Sequence, residues 1–179
     1  MLKREDTVFV LVDVQGNLTN LMHDKQNLFA NLQKLIKSLQ ILDIPILWLE
    51  QNPQGIGPTV LPIANLLQYN TPISKMTFSA YKEPKFVEAL NKLDRKQILV
   101  AGIESHVCVY QTAVDLHNAN FEVQIVSDAV SSRTQANKQL ALLTMQKLGI
   151  QLTSTEMALF ELLEIAEGPM FKEVIKIIK

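Results

Sequence analysis

Cysteine is almost missing from this chain: among 179 residues only Cys108 carries a thiol. One cysteine closes no internal disulfide, so a reducing, cytoplasmic home is expected. Charge imbalance is missing too, with 17 Lys and Arg against 18 Asp and Glu. No basic tract with interleaved aromatics occurs, which argues against a nucleic-acid partner and against an acidic membrane surface. No apolar run reaches the length that spans a bilayer. The opening MLKREDTVFVLVD passes quickly into a short apolar run that contains Asp13. It lacks the longer apolar region and small-residue cleavage site of a signal peptide. Three scattered histidines, no HxxxH and no CxxC leave no expected metal site. Neither GxGxxG nor GxxxxGK(S/T) is present, so no nucleotide cofactor is expected. The Gly-containing stretch QGIGPT reads as a turn.

What is there is ordinary globular material: 47% apolar and 20% charged residues. The length suits one domain with a full core, residues 1–179. Short apolar runs alternate with longer amphipathic ones. Strands are read at Thr7–Val14, Pro45–Leu49, Gln97–Val100, Glu122–Val126 and Ile150–Leu152. Helices are read at Leu28–Leu42, Leu61–Leu67, Phe86–Leu93 (with Pro84 near its start), Ser105–Ala119, Gln135–Leu148 and Pro169–Ile178. Another helix takes in Leu159, Leu162 and Leu163, with Thr153 and Glu156 matching a capping box at its start. Gln51–Pro58 is read as a loop, and Gly149 suits the residue that ends a helix. Strand–helix alternation with continuously apolar strands predicts a three-layer α/β fold, a parallel sheet covered on both faces. In such sheets ligands bind beyond the carboxyl ends of the strands, so residues just after strands are the ones to inspect.

Three residues meet that rule. Cys108 follows the Gln97–Val100 strand at the first turn of a helix, where unpaired N–H groups and the helix dipole favour a thiolate. The same residue also suits an inert core thiol. Asp13 ends the first strand and suits either a turn cap or a general base whose pKa is raised by partial burial. Lys75 lies in the irregular stretch PISKMTFSAY; it is either a surface charge or, among Met76, Phe78 and Tyr81, a cation that steadies the thiolate and offsets Asp13. The histidines fit less well. His106 is two residues from Cys108, and residues two apart on a helix face different ways. Nothing in the sequence places His23, and His117 reads as a surface residue.

The segments VFVLVDVQ, SKMTFSAY and AGIESHVCVYQTAVDLHNANFEVQIVSDAVSSR together resemble the isochorismatase-like cysteine hydrolase superfamily, from about Thr7 to the C-terminus. WLEQNPQGIGPTV and SSRTQANKQLALLTMQKLGI are most similar to the isochorismatase domain-containing subgroup. The resemblance implies a Rossmann-like three-layer α/β/α fold with a six-stranded parallel sheet. It implies a catalytic triad that falls on Asp13, Lys75 and Cys108. It further implies a cis peptide at Ile103–Glu104 and an oxyanion hole made by the backbone N–H groups of Glu104 and Cys108. Members acting on nicotinamide bind a metal through histidines after the second strand, where this chain reads LEQNPQGIG. That departure implies no metal. Gln15, Glu50, Gln51, Asn52, Phe78 and His106 are the candidate pocket residues.

The expected reaction is hydrolysis of a small amide-type substrate without a cofactor. Asp13 accepts the thiol proton, Lys75 holds the thiolate, sulfur attacks the carbonyl, and water releases the acyl enzyme. Two rival readings keep the fold: a non-catalytic binding or scaffold protein, and a single-cysteine redox thiol that passes through a sulfenic acid. The expected partners are a small-molecule substrate and further copies of the chain, since the family commonly forms homo-oligomers. The apolar C-terminal helix, with Phe171, Val174, Ile175, Ile177 and Ile178, suits either a subunit contact or packing on its own domain.

Overall fold

A computed structural model describes residues 1–179. In chain order the elements are β1 (Thr7–Val12), a 3-10 turn (Asn17–Leu21), α1 (Lys25–Ile41), β2 (Ile46–Gln51), α2 (Pro53–Ile56), α3 (Leu61–Ala64) and β3 (Ile73–Lys75). A second 3-10 turn (Ala80–Lys82), α4 (Pro84–Leu93), β4 (Gln97–Ile103), a π-helical turn (Ser105–Val109) and α5 (Tyr110–Asn118) follow. The chain ends with β5 (Glu122–Ser131), α6 (Gln135–Lys147), β6 (Gln151–Thr153), α7 (Thr155–Leu163) and α8 (Gly168–Ile178). The six strands form one all-parallel sheet in the order β3-β2-β1-β4-β5-β6. Chain order reverses between β1 and β4, and the crevice beyond their carboxyl ends is where such a sheet takes ligands.

The continuous apolar run of β1 has a direct cause. Alternate side chains of a strand point to opposite faces, and here both faces are covered. Phe9 and Leu11 join the core under α1, α7 and α8, with Leu32, Leu35, Leu159 and Val174. Val8, Val10 and Val12 join the core under α4, α5 and α6, with Phe86, Leu116 and Met145. These are the two outer layers of a three-layer α/β/α domain.

Several readings change. Lys75 does not lie in an irregular stretch: Ile73–Lys75 is β3, a strand absent from the sequence reading, paired with Leu49–Gln51. Three residues, ISK, are too short to show a strand period. The stretch read as a loop at Gln51–Pro58 continues β2 at its first residue and holds the one-turn helix α2, begun by Pro53. Glu122–Val126 extends to Ser131, because Ser127 and Asp128 interrupt the apolar run without ending the strand. Helix α7 is capped by Ser154, whose side chain accepts from the Met157 N–H. Thr153 is unavailable for the capping box, since it still pairs with Val126 in the sheet. The C-terminal helix α8 packs on its own domain: Val174 is buried, Met170, Phe171 and Ile178 lie against the core, and Lys34 Nζ donates to the Ile178 carbonyl at 2.9 Å.

Gly102 is a position where the fold tolerates no side chain. It sits at a register irregularity in β4 with φ 120°, and a Cβ there would overlap the Val12 carbonyl oxygen in the next strand. Only glycine adopts that backbone freely. Gly102→Ala is expected to cost at least about 2 kcal/mol, read as a lower urea midpoint with an unchanged slope. An unaltered midpoint would show that β4 can shift away from Val12.

Candidate active site

The residue after β1 begins the site. At Asp13 the chain leaves the sheet through a left-handed conformation, φ 49°, and the Gln15 N–H folds back onto the Asp13 carbonyl at 2.8 Å. Aspartate tolerates that region better than most residues, at some cost in strain. The turn carries the Asp13 carboxylate to the carboxyl end of β1. Two strands away, β3 ends at Lys75, which is in register with Gln51 at the end of β2. The Lys75 ammonium donates to Asp13 Oδ2 at 2.7 Å, to Gln51 Oε1 at 2.8 Å, and to the Phe78 and Thr77 carbonyls at 3.1 and 3.2 Å. The two charged side chains are 0% and 4% exposed. Burial of an ion pair is stable only when its remaining donors and acceptors are matched. Lys75 meets that condition, whereas Asp13 Oδ1 has no conventional partner.

The Cys108 thiol is the group beside that carboxylate. Cys108 is 7% exposed and lies on the π-helical turn. The charges of Asp13 and Lys75 both act on its sulfur. The structure therefore brings together an acid, an ammonium and a thiol whose positions in the chain span 95 residues, from 13 to 108. Asp13 is raised above the usual carboxylate range, first by burial, while the charge and hydrogen bond of Lys75 pull it down. The helix-start expectation for Cys108 is overturned. Burial first, and then the negative charge of Asp13, push its thiol up to about 12, against the opposing pull of Lys75. The N–H groups of Val107 and Val109 on either side of it already donate to the Glu104 carbonyl at 3.1 and 3.2 Å, so they are not free to solvate a thiolate. At rest, then, the site holds a thiol beside a carboxylate–ammonium pair.

This shift has a sign. A thiol with a folded pKa above its ordinary 9.0 binds its proton more tightly in the fold than in the unfolded chain. The stability it contributes is complete below pH 9 and is lost as the pH rises toward 12. Cys108→Ser protein should show a flatter alkaline limb in unfolding free energy than wild type over that interval. Parallel limbs would mean that the thiol is not protonated in the fold.

Around this centre the candidate pocket residues divide. Gln15 is a brace: its amide donates to the Gln51 and Gly57 carbonyls at 3.0 and 2.7 Å and accepts from the Gln51 N–H at 2.6 Å. Glu50 is another, taking the Thr59 N–H on Oε1 at 2.7 Å. Both side chains are buried and engaged with the neighbouring loop. Gln51 reaches Lys75 and, through its amide, the Met76 carbonyl at 2.9 Å. Asn52 lines a recess of about 260 Å³ with Pro53, Gln54, Ser74, Lys75, Met76 and Glu83. Phe78 stands 54% exposed, with its carbonyl on Lys75. His106 places Nδ1 3.0 Å from Ser132 Oγ, so it is engaged away from sulfur. His23 is exposed, and its backbone joins Ser131 and Ser132; His117 is half-buried near Gly149.

At Glu104 the preceding peptide bond is cis, and no carbonyl or side-chain acceptor pairs with its N–H. Its carboxylate, 8% exposed, takes the backbone N–H and Nε of Arg133 on Oε1, each at 3.1 Å. Arg133 escaped the sequence reading because β5 was ended at Val126. With β5 ending at Ser131, the rule of looking just past strands finds it. No three His, Cys, Asp or Glu side chains converge as a metal-binding group. The larger recesses, of about 500 and 770 Å³, are lined by α1–β2–α3 residues and by the N-terminus with α7. Those recesses carry none of the converging chemistry, so the site is identified by its reactive groups rather than by volume.

Comparison with known proteins gives the setting. Residues 7–157 match the Isochorismatase domain model. The chain is 35% identical over 176 residues to isochorismatase domain-containing protein 2 of Rattus norvegicus, covering 98% of this chain and 82% of the rat protein. The structure of the MAR1 ribonuclease from Caenorhabditis elegans superimposes with a TM-score of 0.92 at 33% identity, covering 99% of this chain and 91% of that one. The YcaC gene product of Escherichia coli, an octameric hydrolase of unknown specificity, shares the fold with a TM-score of 0.92 at 22% identity, covering 98% and 89% of the two chains. No helix of the chain is long and apolar enough to cross a membrane.

Proposed function

The chain belongs to the isochorismatase-domain family, and from that premise we propose that it is a metal-independent cysteine hydrolase acting on the C–N bond of a small amide. Family membership supports a hydrolase. One observation carries the finer reading: a fully buried Lys75–Asp13 pair at 2.7 Å with the lone thiol coupled to both members.

With a thiol pKa near 12, a standing thiolate is not the attacking species. Sulfur attacks the carbonyl carbon as its proton passes to Asp13, whose raised pKa suits it to hold that proton. Lys75 keeps the carboxylate aimed at the sulfur and balances its charge. The Glu104 and Cys108 N–H groups receive the oxyanion; one such donor contributes about 3–4 kcal/mol at a transition state of this kind. Asp13 then gives its proton to the leaving nitrogen, and an amine departs, leaving a thioester. Water attacks the thioester, its proton returns through Asp13 to sulfur, and a carboxylic acid leaves. Asn52, Gln51 and Phe78 border the approach.

The same proposal places the protein in a reducing, cytoplasmic compartment, where a lone thiol stays free. It includes self-association through exposed apolar side chains such as Leu140 and Leu143 on α6. The test is intact mass spectrometry after incubation with a panel of small amides and ureides. An acyl adduct on Cys108 is expected. Cleavage of a short RNA, equally by wild type and Cys108→Ala protein, would instead favour the activity named for the C. elegans relative.

A further inference from the structure

We infer that Thr112 is a positioning residue for the thiol: through Ala80 it fixes where the Lys75 ammonium stands relative to Cys108. The inference deepens the reading of Cys108 as nucleophile and rests on it. Lys75 enters the site at the end of β3, a three-residue edge strand. The strand places the Lys75 backbone, but a four-carbon stem leaves an ammonium free to swing. The arc of chain that follows restrains it. The Thr77 and Phe78 carbonyls accept from Nζ at 3.2 and 3.1 Å. The Thr77 hydroxyl closes the arc on itself by donating to the Ser79 carbonyl at 2.7 Å. At the far end the Ala80 N–H donates to Thr112 Oγ1 at 2.9 Å.

That last bond crosses to the element that carries the sulfur. Thr112 lies in the first turn of α5, four residues past Cys108, and is fully buried. The π-helical turn of Cys108 runs directly into α5. A threonine inside a helix ordinarily turns its hydroxyl toward the carbonyl one turn back. Here its oxygen serves as acceptor for another element. Ala80 opens a 3-10 turn and is itself fully buried, so its N–H has no partner within the turn and no water to replace one. Thr112 answers that donor, and Phe78, whose carbonyl holds the ammonium, is only two residues before it. Beyond burial, the charge of Asp13 keeps the proton on sulfur and the charge of Lys75 draws it off. Asp13 is set by the turn after β1, so a loosened arc shifts that balance by releasing Lys75 alone.

The lone thiol gives a readout that needs no substrate. Alkylation of Cys108 by iodoacetamide is followed by intact mass between about pH 7 and pH 10, with Cys108→Ala protein as the blank. Thr112→Val keeps the shape of the side chain and removes the acceptor. The ammonium then pulls less on the sulfur, and the thiol holds its proton more tightly. Each unit by which a thiol pKa rises removes about tenfold of the thiolate and returns part of that in nucleophilicity. Alkylation is therefore expected to slow roughly threefold at every pH, with the slope of the profile unchanged. Thr112→Ser keeps the oxygen and should keep the wild-type profile. A merely structural role has the opposite sign, because a loosened core exposes the buried thiol and speeds alkylation. Thr77→Val, at a half-buried position, cuts the closure of the arc and should also slow alkylation; it decides the matter if Thr112→Val does not fold. An unchanged or faster profile in the deciding variant, or slowing that Thr112→Ser shares, overturns the positioning role. The acyl adduct on Cys108 tests the nucleophile reading separately, so the two failures are told apart.

Discussion

Cys108→Ala protein will fold and will turn over no amide. Cys108 belongs to the core under α4, α5 and α6, which also includes Val109, Ala113 and Val130. Deleting one sulfur there leaves a modest cavity, worth about 1–2 kcal/mol. The loss of chemistry is of another order. Without sulfur there is no thioester, and a rate fall on the order of 10⁴-fold or more is expected when a nucleophile of this kind is removed. Cys108→Ser keeps shape and a hydroxyl, but a hydroxyl is harder to deprotonate than a thiol, and Asp13 is still a weak base for it. It too should lose most activity, with little change in melting. Steady-state turnover and the disappearance of the mass adduct check both variants. Covalent turnover that survives in Cys108→Ala would sink the proposal. Full biological function in a Lys75→Ala, Cys108→Ala double variant would favour the binding or scaffold reading. Rapid peroxide consumption by wild type without any hydrolysis would favour the redox reading.

Much of this arrangement can be read from residues in order, and the limits have physical causes. The α/β alternation shows because buried parallel strands are apolar on both faces, as in TVFVLV. Asp13 and Cys108 stand out because they follow such strands. Lys75 is harder. Nothing local in ISK announces an edge strand, and its burial depends on Gln51, which is 24 residues away in the chain. The braces Gln15 and Glu50 look like pocket residues in sequence because they too follow or end strands. Only the folded chain shows their side chains turned onto the loop that begins at α2. The direction of the thiol pKa could not be read either. A helix start favours a thiolate, but burial and a facing carboxylate oppose it, and their balance depends on distances that the sequence does not contain.

The second large effect is on stability and comes from Lys75. Lys75→Met keeps the length and apolar stem of the side chain but removes the ammonium, leaving Asp13 buried beside an uncharged group. Breaking a buried pair from one side typically costs about 3–5 kcal/mol, because the remaining charge is neither solvated nor paired. The penalty has a pH signature. Without Lys75 the Asp13 pKa rises further above its ordinary 3.8, and the unmatched carboxylate harms the fold only while it is ionised. A raised carboxylate contributes stability that is complete below its unfolded pKa and lost as pH rises through the folded value. Lys75→Met should therefore be most defective at neutral pH and approach wild type as acid protonates Asp13. Asp13→Asn alone should cost less. Lys75 then keeps Gln51 Oε1 and the Thr77 and Phe78 carbonyls as acceptors. The double variant Asp13→Asn, Lys75→Met removes both charges and should recover most of the loss, so the coupling between the sites should reach about 2–3 kcal/mol in a double-mutant cycle. Urea unfolding at neutral and acidic pH supplies all four corners. A Lys75→Met protein as stable as wild type at neutral pH would show that Asp13 is already protonated in the fold. It would then be unable to take the proton from sulfur, and the route from Cys108 to a thioester would close.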